Sequence, residues 1–165
     1  MTVHQVDTIS QNTGALPDYM DALGMVERLH RLLLDVIKDE FERLGLLDIN
    51  SVQALLLFNI GDHEVTAGEL KSRGYYQGSN VSYNLKKLVE AGYMHHQRCQ
   101  IDRRAVRVRL TEKGREIRRI VADLFARHAE RLGQGVTLDR DSLRMMNTSL
   151  KGLERFWTDQ IRYIY

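Results

Sequence analysis

The chain has one cysteine, one proline and few aromatic residues, 7% of 165. A lone thiol, Cys99, cannot close an internal disulfide. This excludes a disulfide-stapled mini-fold and makes a reducing cytoplasm the simplest compartment. With so little proline and only 12 glycines, the chain is neither collagen-like nor low-complexity. No apolar run reaches the roughly 20 residues a membrane-spanning helix needs, and no signal-type segment opens the sequence. Common enzyme marks are also missing: there is no nucleophile elbow, phosphate-cradling glycine loop, zinc-protease helix or spaced carboxylate pair. No catalytic residue and no cofactor are expected. The run Asp62-His63-Glu64 comes nearest to a metal motif, but a short acidic turn of this kind is ordinarily a solvated loop. His95 and His96 are adjacent in a strand and point to opposite faces, so they cannot share an ion. No metal is expected.

What is present is a foldable core and an uneven charge. The chain is 43% hydrophobic and carries a formal net charge of only +2. Between Lys71 and Arg119, however, stand 13 Lys and Arg against 4 Asp and Glu, and the rest of the chain is acidic. A positive centre between negative arms marks a local polyanion site rather than general stickiness. Strong salt dependence of that contact would separate nucleic-acid binding from a winged-helix protein-interaction module.

That basic centre also has the most informative order of elements. Thr66 to Leu110 reads as short helix, turn, second helix and a two-stranded hairpin with a basic tip, which is the order of a winged helix-turn-helix. Thr66 and Glu69 form a capping-box pair. Tyr75 to Gly78 make the turn, and Ser79 caps the second helix, expected to run to Ala91. On it Val81, Leu85 and Leu88 share one face and must be core. Strands are expected at Tyr93 to Arg98 and Ala105 to Leu110, the second alternating between apolar Val106, Val108, Leu110 and exposed Arg107, Arg109.

Around this module the chain is helical. Residues 1–16 lack a sustained period and read as a flexible tail or arm. Pro17 favours a helix start, and the helix to Leu44 carries two apolar stripes. One holds Tyr19, Leu23, Val26, Leu33, Ile37 and Leu44; the other Ala22, Met25, Leu29, Leu32 and Val36. A surface helix needs only one stripe, so the second predicts a partner subunit. Asn50 and Gln53 cap the next helix, whose core face is Val52, Leu55, Leu56 and Ile60. Thr111 caps a helix that Gly133 and Gly135 break. A last helix, from Thr137 or Asp139, repeats Leu143, Leu150, Trp157 and Ile164 every seven residues, like a coiled-coil seam. The expected architecture is mainly α with a small β-hairpin wing (α+β). It divides into the tail at 1–16, an N-terminal dimerisation helix at 17–47, the DNA-binding lobe at 48–111 and C-terminal dimerisation helices at 112–165.

TAGEL, SNVSYNLKKLVEAGY and the wing DRRAVRVRLTEKG together resemble the MarR family of bacterial transcription regulators. Asp102, Arg104, Leu110, Thr111 and Gly114 match its wing pattern. The turn and second helix also resemble the LdtR-type regulators of alphaproteobacteria, which would imply control of envelope or stress genes. The turn Gly74 to Gly78 departs from the family in being rich in glycine and tyrosine, which weakens carry-over of contacts there. The resemblance implies a homodimer on double-stranded DNA. It also implies a small aromatic effector between arms and lobes, for which His30, Arg31, Tyr19 and Phe41 are possible wall residues, although core packing is the favoured role of Tyr19 and Phe41 and no pocket is assigned.

The expected DNA contacts follow from side-chain chemistry. Ser79 lies at a helix N-terminus, where free amides suit a phosphate. Asn80, Ser82, Tyr83 and Lys86 are expected at base edges, and Lys87 at a phosphate. Arg103 and Arg104 suit a narrow minor groove, with Asp102 pairing one of them to fix the tip. An alternative control is redox chemistry at Cys99, whose basic neighbours could lower its pKa.

Overall fold

The computed structural model describes residues 7–72, 78–98, 106–135 and 138–164. The elements in chain order are α1 (Asp7–Arg43), α2 (Ser51–Ile60), β1 (Val65–Thr66), α3 (Ala67–Ser72), α4 (Gly78–Glu90), β2 (Met94–Arg98), β3 (Val106–Leu110), α5 (Glu112–Gln134) and α6 (Arg140–Ile164). The chain forms two compact units, residues 1–121 and 122–165.

In the first unit the core is built from every element between α1 and the start of α5. Ile37 and Phe41 of α1 are buried with Leu56, Leu57 and Ile60 of α2. Leu70 of α3, Val81 and Leu88 of α4, Val108 and Leu110 of β3 and Ile117 and Val121 of α5 complete it. Burial on α2 extends to Ala54 and Leu57, while Val52 is only half-buried. This helix is therefore enclosed on more sides than its expected face implies. Its start follows the expected chemistry: the Gln53 amide donates to Asn50 Oδ1 at 2.8 Å, and the Asn50 amide donates to Gln53 Oε1 at 3.3 Å. Such reciprocal caps satisfy two otherwise orphaned donors.

Glycines end two helices where the sequence placed stops. Gly45 after α1 has φ 73°, and Gly92 after α4 has φ 79°. At each, the following amide reaches back across the last turn, Leu46 to the Phe41 carbonyl and Tyr93 to the Leu88 carbonyl, both at 2.9 Å. The left-handed backbone this closure requires is the one glycine adopts without strain.

Four expectations need correction. Helix α1 begins at Asp7, so Pro17 lies inside it rather than at its start, and residues 7–16 are helical. A proline deletes one backbone bond of the ladder; residues 14–20 are all exposed, so no packed neighbour magnifies the disturbance. The expected hairpin of β2 and β3 is present, but β1 adds an unexpected third strand, making an antiparallel sheet in the order β1-β3-β2. Val65 pairs with Val108 and Thr66 with Arg107, and two residues are too few to show a period. Ser79 lies within the first turn of α4, which begins at Gly78, so it is not the residue before the helix. Gly133 lies inside α5, which ends at Gln134; glycine weakens a helix interior but does not by itself terminate it.

The second unit holds the later part of α5 and all of α6. The α6 start is capped by Asp139, whose Oδ1 accepts from the Ser142 amide at 2.8 Å. That hydrogen bond holds the Asp139 carboxyl below the usual carboxylate range. Along α6, Met145, Met146, Leu150, Phe156 and Ile161 are exposed, while Leu143, Leu153 and Trp157 are half-buried. No helix among the described residues is long and apolar enough to cross a membrane.

Candidate DNA-reading surface

Helix α4 has two chemically opposite faces. Val81, Leu85 and Leu88 point into the core, as their spacing requires. Asn80, Ser82, Tyr83, Lys86 and Lys87 are all exposed, with Tyr83 61% accessible. The helix therefore brings together, on its outward side, the polar residues expected to read DNA. Asn84 is half-buried and spends its amide on the Asn80 carbonyl at 2.9 Å, so it belongs to the helix rather than to the reading face. The Ser79 side chain and Asp102, Arg103, Arg104 and Cys99 lie outside the described residues.

One acid on this surface was not singled out by sequence. Glu90 sits 3.9 Å from Lys86 Nζ and 3.5 Å from Lys87 Nζ. Its i+3 and i+4 spacing to the two lysines was the available signal. Lys87 Nζ also stands 5.9 Å from the centre of the Tyr83 ring, which holds the aromatic beside the cation. The two lysines thus carry a shared counter-ion in the free protein.

A second group that sequence reasoning missed anchors the base of the wing. The Tyr93 hydroxyl, following α4, donates to Asp48 Oδ2 at 2.7 Å, in the link between α1 and α2. Lys113, in the first turn of α5, lies 3.6 Å from the same carboxylate oxygen and 4.1 Å above the Tyr93 ring. It also donates to the Ala91 carbonyl at 3.1 Å. Three separate stretches of chain meet here. The Tyr93 hydrogen bond, and then the Lys113 charge, hold the Asp48 carboxyl below its ordinary range. Burial, and then the Asp48 carboxylate, push the Tyr93 phenol up.

The sign of each shift defines a pH window. The lowered Asp48 contributes stability above the unfolded carboxylate value of about 3.9 and loses it as pH falls through its folded value. The raised Tyr93 contributes fully below about pH 10 and loses that contribution as pH rises beyond it. Because the Asp48 side chain is 60% exposed, the pair is worth only about 1 kcal/mol after screening. Tyr93→Phe is expected to lower neutral-pH stability by about that amount, with the deficit shrinking as pH drops below 4. Calorimetric melting from pH 3 to 7 checks this, and a deficit that stays constant across the range would refute the assignment.

Beside the reading face, a cleft of about 660 Å³ opens between α3, α4 and the wing sheet. Leu85, Val89, Val106 and Val108 give it an apolar lining, with Lys86 and His96 among its polar groups. The possible wall residues on α1 divide, with Phe41 in the core role favoured for it. Phe41 is core, His30 and Arg31 are exposed and Tyr19 is at 37%. No group of three or more His, Cys, Asp or Glu that could hold a metal occurs among the described residues.

A half-buried sheet, a short helix and an outward-facing second helix beside a wing define a winged-helix DNA-binding protein. Residues 49–114 match the winged helix DNA-binding domain family. Over 149 residues the chain is 35% identical to the exopolysaccharide II synthesis transcriptional activator ExpG of Rhizobium meliloti (strain 1021), covering 90% of this chain and 76% of that one. A MarR transcriptional regulator from Methanosarcina mazei Go1 superposes with TM-score 0.67 at 24% identity, over 84% of this chain and 98% of its own. Streptococcus pneumoniae FabT, solved in complex with DNA, does so with TM-score 0.68 at 22% identity, over 86% and 99%. The chain belongs to the family of the transcriptional activator ExpG, and it has the winged-helix fold of the solved MarR regulators. It is a DNA-binding regulator and not an enzyme.

Proposed function

We propose that the protein acts as a homodimer that places two copies of α4 in successive major grooves of a pseudo-palindromic operator. The observation that carries this reading is the outward row Asn80, Ser82, Tyr83, Lys86 and Lys87, held rigid by the buried Val81, Leu85 and Leu88 behind it. Asn80 suits an adenine edge and Lys86 a guanine edge, while Lys87 and the first turn of α4, which begins at Gly78, suit phosphates. The wing tip, with Arg103 and Arg104 steadied by Asp102, suits the adjacent minor groove. Half-sites about one helical turn apart give an operator of roughly 16–20 base pairs.

Support for pairing comes from apolar surface that a single copy leaves uncovered. Met25, Leu29 and Leu32 form one stripe on α1 and are about half-exposed, and α6 exposes Met146 and Leu150 in its seven-residue seam. Residues 17–47 and 112–165 are accordingly assigned as the dimerisation arms and 48–111 as the lobe. The cleft beside α4 supports a small-molecule effector. An acidic aromatic compound held there would pair with Lys86 or His96 and compete with DNA for the reading face. The alternative, redox control through Cys99, falls on a residue outside the described ones.

By likeness to ExpG and to the LdtR-type regulators, the target genes belong to surface polysaccharide or envelope production. The testing experiment is a salt-titrated gel shift on duplexes selected from a random pool. Affinity is expected to fall about a thousandfold between 50 and 200 mM salt, as six or more phosphate contacts require. Salt-independent binding, or a footprint covering one half-site, would sink the reading.

A further inference from the structure

Six of the 13 basic residues between Lys71 and Arg119 are paired with acids in the fold, and the described ones left over are grouped. Lys86 and Lys87 share Glu90, and Lys113 is paired with Asp48. On α5, Arg115 pairs with Glu112, Arg118 with Asp62, and Arg119 with Glu112 and Glu116. In that stretch Arg98, Arg107 and Arg109 pair with no acid among the described residues. All three are on the wing strands and all are exposed. The nearest acid before β1, Glu64, is exposed and forms no ion pair among the described residues.

Strand register places two of them on one face. His95 is opposite Arg109 and Gln97 is opposite Arg107, whereas Met94, His96 and Arg98 are opposite Leu110, Val108 and Val106. Directly opposed residues in an antiparallel pair share a face, and alternate residues share it along a strand. The inner face therefore carries Val108 and Leu110 into the core, with His96 and Val106 on the cleft. On β2 and β3 the outer face is His95, Gln97, Arg107 and Arg109, with no apolar residue, and Thr66 of β1 is opposite Arg107.

We propose that this outer face of the wing is a second DNA contact, which grips the phosphates of duplex flanking the operator. The proposal rests on the DNA-binding reading above. It adds a surface that faces away from α4, and hence meets DNA beyond the bases α4 reads. Arg107 and Arg109 are two residues apart, about 7 Å along the strand. That is about the axial advance of two nucleotide steps along one DNA strand, at roughly 3.4 Å each, so the pair would reach phosphates one apart. They lead away from the wing tip, so the positive charge continues from the groove-entering loop on to the backbone outside it. A protein partner is disfavoured by the lack of any apolar anchor, since interface centres are built on buried aromatic and aliphatic groups.

The test uses the full chain and an operator recovered from a random duplex pool. One duplex ends at the pseudo-palindrome, and the other carries about one further helical turn, roughly 10 base pairs, on each side. The wild type is expected to gain affinity from the flanks, with a log–log salt slope steeper on the long duplex by about 1 for each arginine engaged. The double variant Arg107→Gln/Arg109→Gln is expected to bind the short duplex like the wild type and to lose the gain from the flanks. Arg107→Lys/Arg109→Lys is expected to keep it. Equal binding of both lengths by the wild type would overturn the proposal, as would an equal loss on both lengths in the Gln variant. Failure of the wild type to bind any duplex at low salt would overturn the operator-binding reading itself, and this proposal with it.

Discussion

Gly114→Ala is expected to be the most damaging single-methyl change in the chain. A Cβ at Gly114 would stand 2.1 Å from the Tyr93 carbonyl oxygen, 3.2 Å from its carbon and 3.4 Å from Leu110 Cβ. The obstacle is backbone, so no side chain can rotate away. The same carbonyl accepts from the Thr111 amide at 3.0 Å. Thr111 in turn caps α5 by accepting from the Gly114 amide at 3.1 Å, and its hydroxyl donates to the Gly92 carbonyl at 2.7 Å. Separating α5 from Tyr93 would therefore strain the helix cap, the wing base and the Tyr93–Asp48 contact together. A cost of about 3 kcal/mol or more follows from overpacking against a fixed neighbour, a large share of the roughly 5–15 kcal/mol that holds a domain folded. Gly152→Ala is the control. It lies inside α6 with nothing within 4 Å of the added carbon, and it is expected to stabilise by up to about 1 kcal/mol. Urea unfolding monitored by circular dichroism compares the two. If Gly114→Ala unfolds at the parent's midpoint, the close approach is not a real constraint.

The second large effect is expected on assembly. Leu29→Glu with Leu32→Glu changes two residues that are 51% and 54% exposed in the single chain, so the lobe itself has little reason to unfold. If α1 is a dimerisation arm, two new charges on each copy oppose burial of that stripe. The protein is then expected to sediment as a monomer. Operator affinity is expected to fall by about a hundredfold or more, because linking two reading helices converts the second contact into an intramolecular one. Sedimentation with a parallel gel shift reads both quantities. A variant that remains dimeric would remove α1 from the dimer interface.

Much of this surface was legible in sequence because its causes are local. Asn50 with Gln53, Thr66 with Glu69, Thr111 and Asp139 announce helix starts by residue type and spacing, and the side chains bond as those patterns require. The buried and exposed sides of α4 follow from the same 3.6-residue period. What was not legible depends on residues far apart in the chain. Tyr93 and Asp48 are 45 positions apart, and the need for glycine at 114 arises from Tyr93 across the base of the wing. Strand β1 escaped because Val65–Thr66 has a partner only after β3 is placed. Composition showed that the centre is basic. Only the fold showed that acids pair with Arg115, Arg118 and Arg119 of α5, and that Arg107 and Arg109 pair with none among the described residues.

The carboxylate of Glu90 next to Lys86 and Lys87 has a consequence for search along the chromosome. An exposed pair of this kind is worth at most about 1 kcal/mol, so a well-fitting site displaces it easily. Random sequence offers only diffuse attraction and competes against a built-in rival for the same two ammonium groups. A regulator equipped in this way should slip off wrong sites sooner than one with bare lysines, trading a little grip everywhere for contrast where it counts.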